Sequence, residues 1–116
     1  MCVSDKLARA LFGELFDKNF EQYKESLSKV AGIDTDPYGK ARSALAQLSD
    51  THRSDVFEFF KVIIADSASV VLGTLDGVHF PDNFEGDLVL TCDGEIIQGD
   101  LMDTFVSSAQ DIGVYG

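Results

Sequence analysis

The stretch DLVLTCDGEIIQ, residues 87–98, decides whether this chain is all-helical or mixed. Its Asp93-Gly94 pair lies between two short runs of leucine, valine and isoleucine. A two-residue type I′ turn requires positive φ at both positions, and Asp-Gly is among the pairs that supply it, so a β-hairpin is predicted here. In the first run Leu88, Leu90 and Cys92 share one face, with Val89 and Thr91 on the other. A lone two-stranded hairpin is marginal in water. It must therefore lie on helices, or Val78–Phe80 must add a third strand.

Toward the C-terminus, Gly99-Asp100 predicts the start of a helix with Leu101, Met102, Phe105, Val106 and Ala109 on its apolar face. Gly113–Gly116 reads as a loose tail. Toward the N-terminus, DVFEFFKVIIADSASVVLG, residues 55–73, is helical, begun by Ser49 or Asp50 and stopped by Gly73. Val56, Phe57, Phe59, Phe60, Val62, Ile63 and Ile64 surround most of its circumference, leaving Asp55, Glu58 and Lys61 as a narrow polar stripe. A helix apolar on nearly all sides is central in the fold or shared with a partner chain. A shorter helix precedes it, with Tyr38, Ala41, Leu45 and Leu48 on one side. The first helix is capped by Ser4 and stopped near Gly32. Its stripe runs Leu7, Ala8, Leu11, Phe12, Leu15, Phe16, Phe20, Tyr23, Leu27 and Val30. It is read as one helix or, divided at Gly13 or Asp17–Asn19, two nearly continuous ones.

These elements predict an α+β fold. A helical N-terminal two-thirds packs with a small antiparallel β-hairpin or three-stranded sheet and a C-terminal helix. The 116 residues fit one domain, 1–116. A chain of this length buries about 65% of the surface its unfolded form exposes, a core that needs no staples. Its two cysteines, Cys2 and Cys92, do not make a disulfide framework, and reduced thiols in a cytoplasmic protein are expected. No basic segment followed by an apolar one opens the chain, and no apolar run approaches the ~20 residues of a spanning helix.

The net charge is −11, and its distribution is uneven. Residues 1–61 hold all nine basic residues against ten acids, a net of −1. Residues 62–116 hold ten acids and no Lys or Arg, a net of −10. Ordinary surfaces mix the signs. Such a half-chain disfavours direct contact with nucleic acid or an anionic membrane and suits a basic protein partner.

Chemical motifs are sparse. Asp34, Asp36 and Gly39 match three positions of a calcium loop, but Tyr38 and Leu45 stand where further ligands belong. Asp36 as N-cap before Pro37 explains the same residues. His79 and Cys92 lie in no motif that positions a nucleophile and its base, and His52 sits in the first turn of a helix. Asp82, Asn83, Glu85 and Asp87 offer four oxygen donors, though Asx beside Pro and Gly is also ordinary turn chemistry. No metal or cofactor is expected.

The expected function is that of a small acidic cytoplasmic binding protein acting by protein–protein contact. Its most concrete form is an inhibitor or immunity-type protein that occludes a basic partner. The expected contact residues are Asp82, Glu85, Asp87, Asp93, Glu95, Asp100 and Asp103, around the apolar hairpin and the aromatic Phe80 and Phe84. The alternative is an adaptor or subunit of a larger assembly that docks through the apolar third helix, self-pairing as a homodimer included. A small hydrolase or metal-dependent enzyme ranks below both.

Overall fold

The computed structural model describes residues 2–116. Five α-helices carry the fold, with a two-stranded antiparallel sheet set between the last two. The first, α1 (Val3–Gly13), continues through a π-helical segment (Glu14–Asn19) into α2 (Phe20–Leu27), with helical backbone at both junctions. Gly13 does not break the helix, and a Glu14–Lys18 ion pair at 3.4 Å spans the exposed side of the π segment. A π turn takes up an extra residue and re-phases the apolar stripe. Phe12 and Phe16 accordingly face the main core, while Phe20 and Leu27 face a second cluster with Leu45 and Phe57.

The ends of this first helix differ from the expected ones. It starts at Val3 with Cys2 at the capping position, so Ser4 lies within the first turn and caps nothing. It stops at Leu27, short of Gly32. Arg42 supplies the reason: its Nε donates to the Ser26 carbonyl at 2.7 Å, satisfying a last-turn acceptor with a cation. Val30 and Ile33 beyond it are left exposed.

The next helix, α3 (Pro37–Ala46), is capped as expected, with Asp36 Oδ1 accepting from the Gly39 N–H at 2.8 Å. Gly39 is required there, because a Cβ would stand 2.3 Å from the Asp34 carbonyl oxygen. The long helix α4 (Asp50–Leu75) begins under Ser49, whose Oγ accepts from the His52 N–H at 3.1 Å. It runs past Gly73. Gly77, at φ +76°, is the residue that turns it off. The Val78 N–H donates to Gly73 O at 2.9 Å and the Gly77 N–H to Thr74 O at 3.2 Å, a Schellman ending. Gly73 is small for packing, since a Cβ would meet Met102 Sδ at 2.9 Å.

That ending also decides for the hairpin over the three-stranded alternative. The Val78 and His79 N–H groups both bond the Gly73 carbonyl and are not free to join a ladder. The sheet is therefore β1 (Thr91–Cys92) and β2 (Glu95–Ile96) alone. The final helix, α5 (Leu101–Asp111), packs on α1 and α4. Ala8, Phe16, Ala65, Leu72, Leu101, Phe105 and Ala109 form the main core. Phe105 stands edge-on to Phe12 at 5.7 Å and tilted to Phe16 at 6.1 Å.

The C-terminal tail is ordered, contrary to expectation. Gly113, at φ +75°, ends α5 in a second Schellman motif, with the Val114 N–H on Ala109 O at 3.0 Å. Val114 is thereby folded back into the main core. Next to it, the Tyr115 hydroxyl lies 3.1 Å from Asp66 Oδ1. Burial, then the Asp66 carboxylate that it donates to, pushes the Tyr115 phenol above its usual 10.0. A raised phenol favours the folded state fully below pH ~10, and that contribution is lost as pH rises through the folded value. Of the three tyrosines, one is expected to ionise late when absorbance near 295 nm is followed against pH, and Tyr115→Phe should abolish that late phase. Late ionisation that persists in the variant would assign it to Tyr23 or Tyr38 instead.

Candidate protein-interaction site

The hairpin turns where Asp93-Gly94 predicts. Asp93 and Gly94 have φ of 52° and 85°, and Thr91 pairs with Ile96 and Cys92 with Glu95. Beyond those pairs the Ile97 N–H reaches Leu90 O at 3.0 Å. The Leu90 N–H, however, is received by the side-chain carbonyl of Gln98, which replaces the next rung. Gln98 Nε2 in turn donates to Leu88 O and, at 2.9 Å, to Leu75 O at the end of α4. One amide thus ties the hairpin base to the helix. Leu90 and Ile97 face inward, while Val89 and Ile96 are 67% and 69% exposed.

Asp76 makes the second tie. Its carboxylate accepts from the Gly99 N–H at 2.6 Å and from the Met102 N–H at 2.8 Å. These are orphan donors at the start of α5, so the cap of α5 comes from the end of α4. Asp100, at the expected N-cap position, makes no side-chain cap bond. Nothing local in the sequence marks Asp76 or Gln98 for these roles, because the bonds by which they tie α4 to the hairpin base and to α5 span 23 to 26 residues.

Held between these ties, residues 78–90 run without regular structure, with Asn83 in the left-handed region at φ 65°. The segment closes over a cavity of about 460 Å³ that opens between His79, Phe80, Phe84, Glu85 and Asp87. Phe80 and Phe84 remain 76% and 50% exposed. All seven expected contact acids are exposed. They do not form one cluster. Glu85 and Asp87 line the cavity, and Asp82 lies in the turn before it. Asp93 and Glu95 flank the hairpin tip. Asp100 and Asp103 open onto a separate shallow groove beside α1, shared with Asp5, Arg9 and Asp111.

Ion pairing follows the sequence asymmetry. Among the described residues the pairs are Glu14–Lys18, Asp34–Arg42, Asp50–Arg53 and Glu58–Lys61, all within the first 61 residues. None involves the seven acids. His79 and Cys92 are not hydrogen-bonded to each other, and Cys92 lies beside Asp93 Oδ2 at 3.9 Å. Cys2 and Cys92 are both free thiols. Among the described residues no three His, Cys, Asp or Glu side chains converge as metal ligands do, and no helix is long and apolar enough to cross a membrane. Comparison with protein-family models, curated proteins and solved structures finds no match to this chain.

Proposed function

We propose that this chain is a binding protein that engages a basic protein partner through its hairpin end, acting in the manner of an inhibitor or immunity-type protein. One observation carries the reading: Glu85 and Asp87 line an open cavity beside the exposed Phe80 and Phe84, and among the described residues these two acids and the other five proposed contact acids are exposed with no ion-pair partner. Uncompensated charge destabilises a fold by self-repulsion, and steering a cationic partner is a use that offsets this. Phe80 and Phe84 supply the apolar centre that an interface needs, with carboxylates at its rim.

The test begins with a partner captured by pull-down and proceeds by association kinetics. Asp82, Glu85, Asp87, Asp93, Glu95, Asp100 and Asp103 are replaced in pairs by Asn or Gln. Steering contributes 10- to 10³-fold or so to association rates, so the paired variants should bind more slowly at low salt and converge with the parent as salt shortens the ~10 Å Debye length. Phe80→Ala should speed dissociation instead. Folded variants that associate at the parental rate at low salt would reduce the acidic face to solvation.

A separate observation favours a second role, as a subunit that docks through α4. Phe59, Ile63, Val70 and Val71 of that helix are exposed although the helix is otherwise central to the core.

A further inference from the structure

The cavity at the hairpin end is lined by polar groups of two kinds. On its half-buried side stand Thr74, Asp76 and Gln98, all engaged within the chain. The Thr74 hydroxyl donates to Val70 O at 2.7 Å. Both Asp76 oxygens accept from the start of α5, at 2.6 and 2.8 Å. The Gln98 amide donates to Leu75 O at 2.9 Å and to Leu88 O, and its carbonyl receives the Leu90 N–H. On the exposed side, Glu85 and Asp87 differ. Among the described residues neither carboxylate has an ion-pair partner or accepts a hydrogen bond.

An aromatic ring is seated between these two acids. The Phe84 ring lies over Gly86, where an added Cβ would stand 3.4 Å from the ring Cζ. Gly86 separates Glu85 from Asp87, so the half-exposed ring and both free carboxylates share one short stretch of the cavity wall. Leu75, Phe80, Pro81 and Leu88 make much of the remaining wall apolar. The volume, about 460 Å³, lies within the ~300–1,000 Å³ of sites that hold ligands.

These features select the ligand. Every lining residue belongs to the half of the chain that has no Lys or Arg, so the cavity offers an anion no fixed cation and offers a cation two free carboxylates. A hard metal ion wants about six to eight oxygen ligands, which a largely apolar wall does not provide. An organic cation suits both the carboxylates and the ring, whose face attracts positive charge. Between the two protein cations, an ammonium is a strongly hydrated point charge. A guanidinium is flat, weakly hydrated and forked, so it stacks on an aromatic face and bonds carboxylates through several N–H groups at once. We propose that this cavity is a guanidinium site that takes an arginine side chain of the basic partner, stacked on Phe84 and bonded by Glu85 and Asp87. The inference rests on the reading of the hairpin end as the partner site and names the group that the partner inserts there.

Titration of the full chain with the Nα-acetylated amide of arginine, followed by backbone amide chemical shifts, tests the site without the partner. Saturable shifts are expected at Phe80 and through Phe84–Asp87, with a dissociation constant of roughly 1–10 mM. The citrulline amide has the same shape without the charge and should not bind, and the lysine amide should bind at least ~3-fold more weakly. Glu85→Gln with Asp87→Asn should weaken arginine binding about 10-fold or more. Phe84→Leu keeps apolar bulk, removes the ring and should weaken it ~2- to 5-fold. Asp93→Asn with Glu95→Gln removes the same charge at the hairpin tip and should change it less than about 2-fold. These acids are exposed and their replacements are isosteric, so the variants keep the fold. Absence of saturable shifts up to about 0.1 M would overturn the inference. So would equal binding of the citrulline or lysine amide, or an equal loss in the tip variant. With a partner in hand, the arginine amide at about ten times its own dissociation constant should raise the partner's apparent constant ~10-fold relative to the same concentration of the lysine amide, which matches its ionic strength. A partner that still binds the hairpin end undisturbed would overturn the arginine site and leave the binding reading standing. Arginine binding at the cavity with no partner captured would support the site and count against that reading.

Discussion

Phe105→Ala is expected to remove ~3–5 kcal/mol of folding free energy, a large share of the roughly 5–15 kcal/mol by which a domain is stable. Phe105 is fully buried where α5 meets α1 and α4. Its ring contacts Phe12 and Phe16, and Leu101 and Ala109 lie on the same side of α5. Truncation leaves a cavity that two crossing helices cannot close without losing their own contacts. The loss exceeds that at most other positions because the main core is small and has one aromatic centre. Urea denaturation followed by far-ultraviolet circular dichroism measures it. Gln110→Ala, on the exposed side of the same helix, should change stability by no more than about 0.5 kcal/mol. A loss below about 1 kcal/mol in Phe105→Ala would mean that α5 does not pack as described.

Asp76→Ala is expected to cost ~2 kcal/mol and to loosen the hairpin end selectively. Hydrogen bonds to a charged group are worth about 1.5–3 kcal/mol each, reduced here because Asp76 is only half-buried. Two such bonds, to the Gly99 and Met102 N–H groups, hold the start of α5 against the end of α4. Their loss frees one end of the segment that carries Phe80, Phe84 and most of the proposed contact acids. Hydrogen exchange should quicken at Gly99, at Met102 and through residues 88–98 before it quickens in α1. Asp76→Asn keeps one carbonyl acceptor and should recover about half of the loss. Uniform quickening across the chain would show that Asp76 supports global stability and not this end in particular.

The hairpin turn was legible because Asp93-Gly94 is a local instruction: positive φ at two consecutive positions has few sequence solutions. The caps at Asp36 and Ser49 were legible for the same reason, since a cap is a contact between residues three apart. The ends misread were those set from a distance. Arg42 terminates α2 from another helix, and Met102 explains Gly73, which resembled a helix stop. Gly113 resembled the start of a loose tail, yet it turns the chain so that Val114 enters the core. The acids of the proposed site were legible as exposed, because turns and hairpin tips must stay solvated. Their division among a cavity, a tip and a groove was not.

By itself, then, the sequence determined the helical periods, the type I′ turn, the caps at Asp36 and Ser49 and the confinement of all cations to residues 6–61. Each of these depends on residues within about one turn of one another, or on composition alone. Only the tertiary structure decided that Asp76 and Gln98 hold the hairpin end in place, that Val78–Phe80 adds no strand, and that one side of α4 is left uncovered. The common physical reason is that a backbone donor or an apolar face specifies its need for a partner but not which partner. Which carbonyl, carboxylate or helix meets that need depends on what chain packing brings within reach.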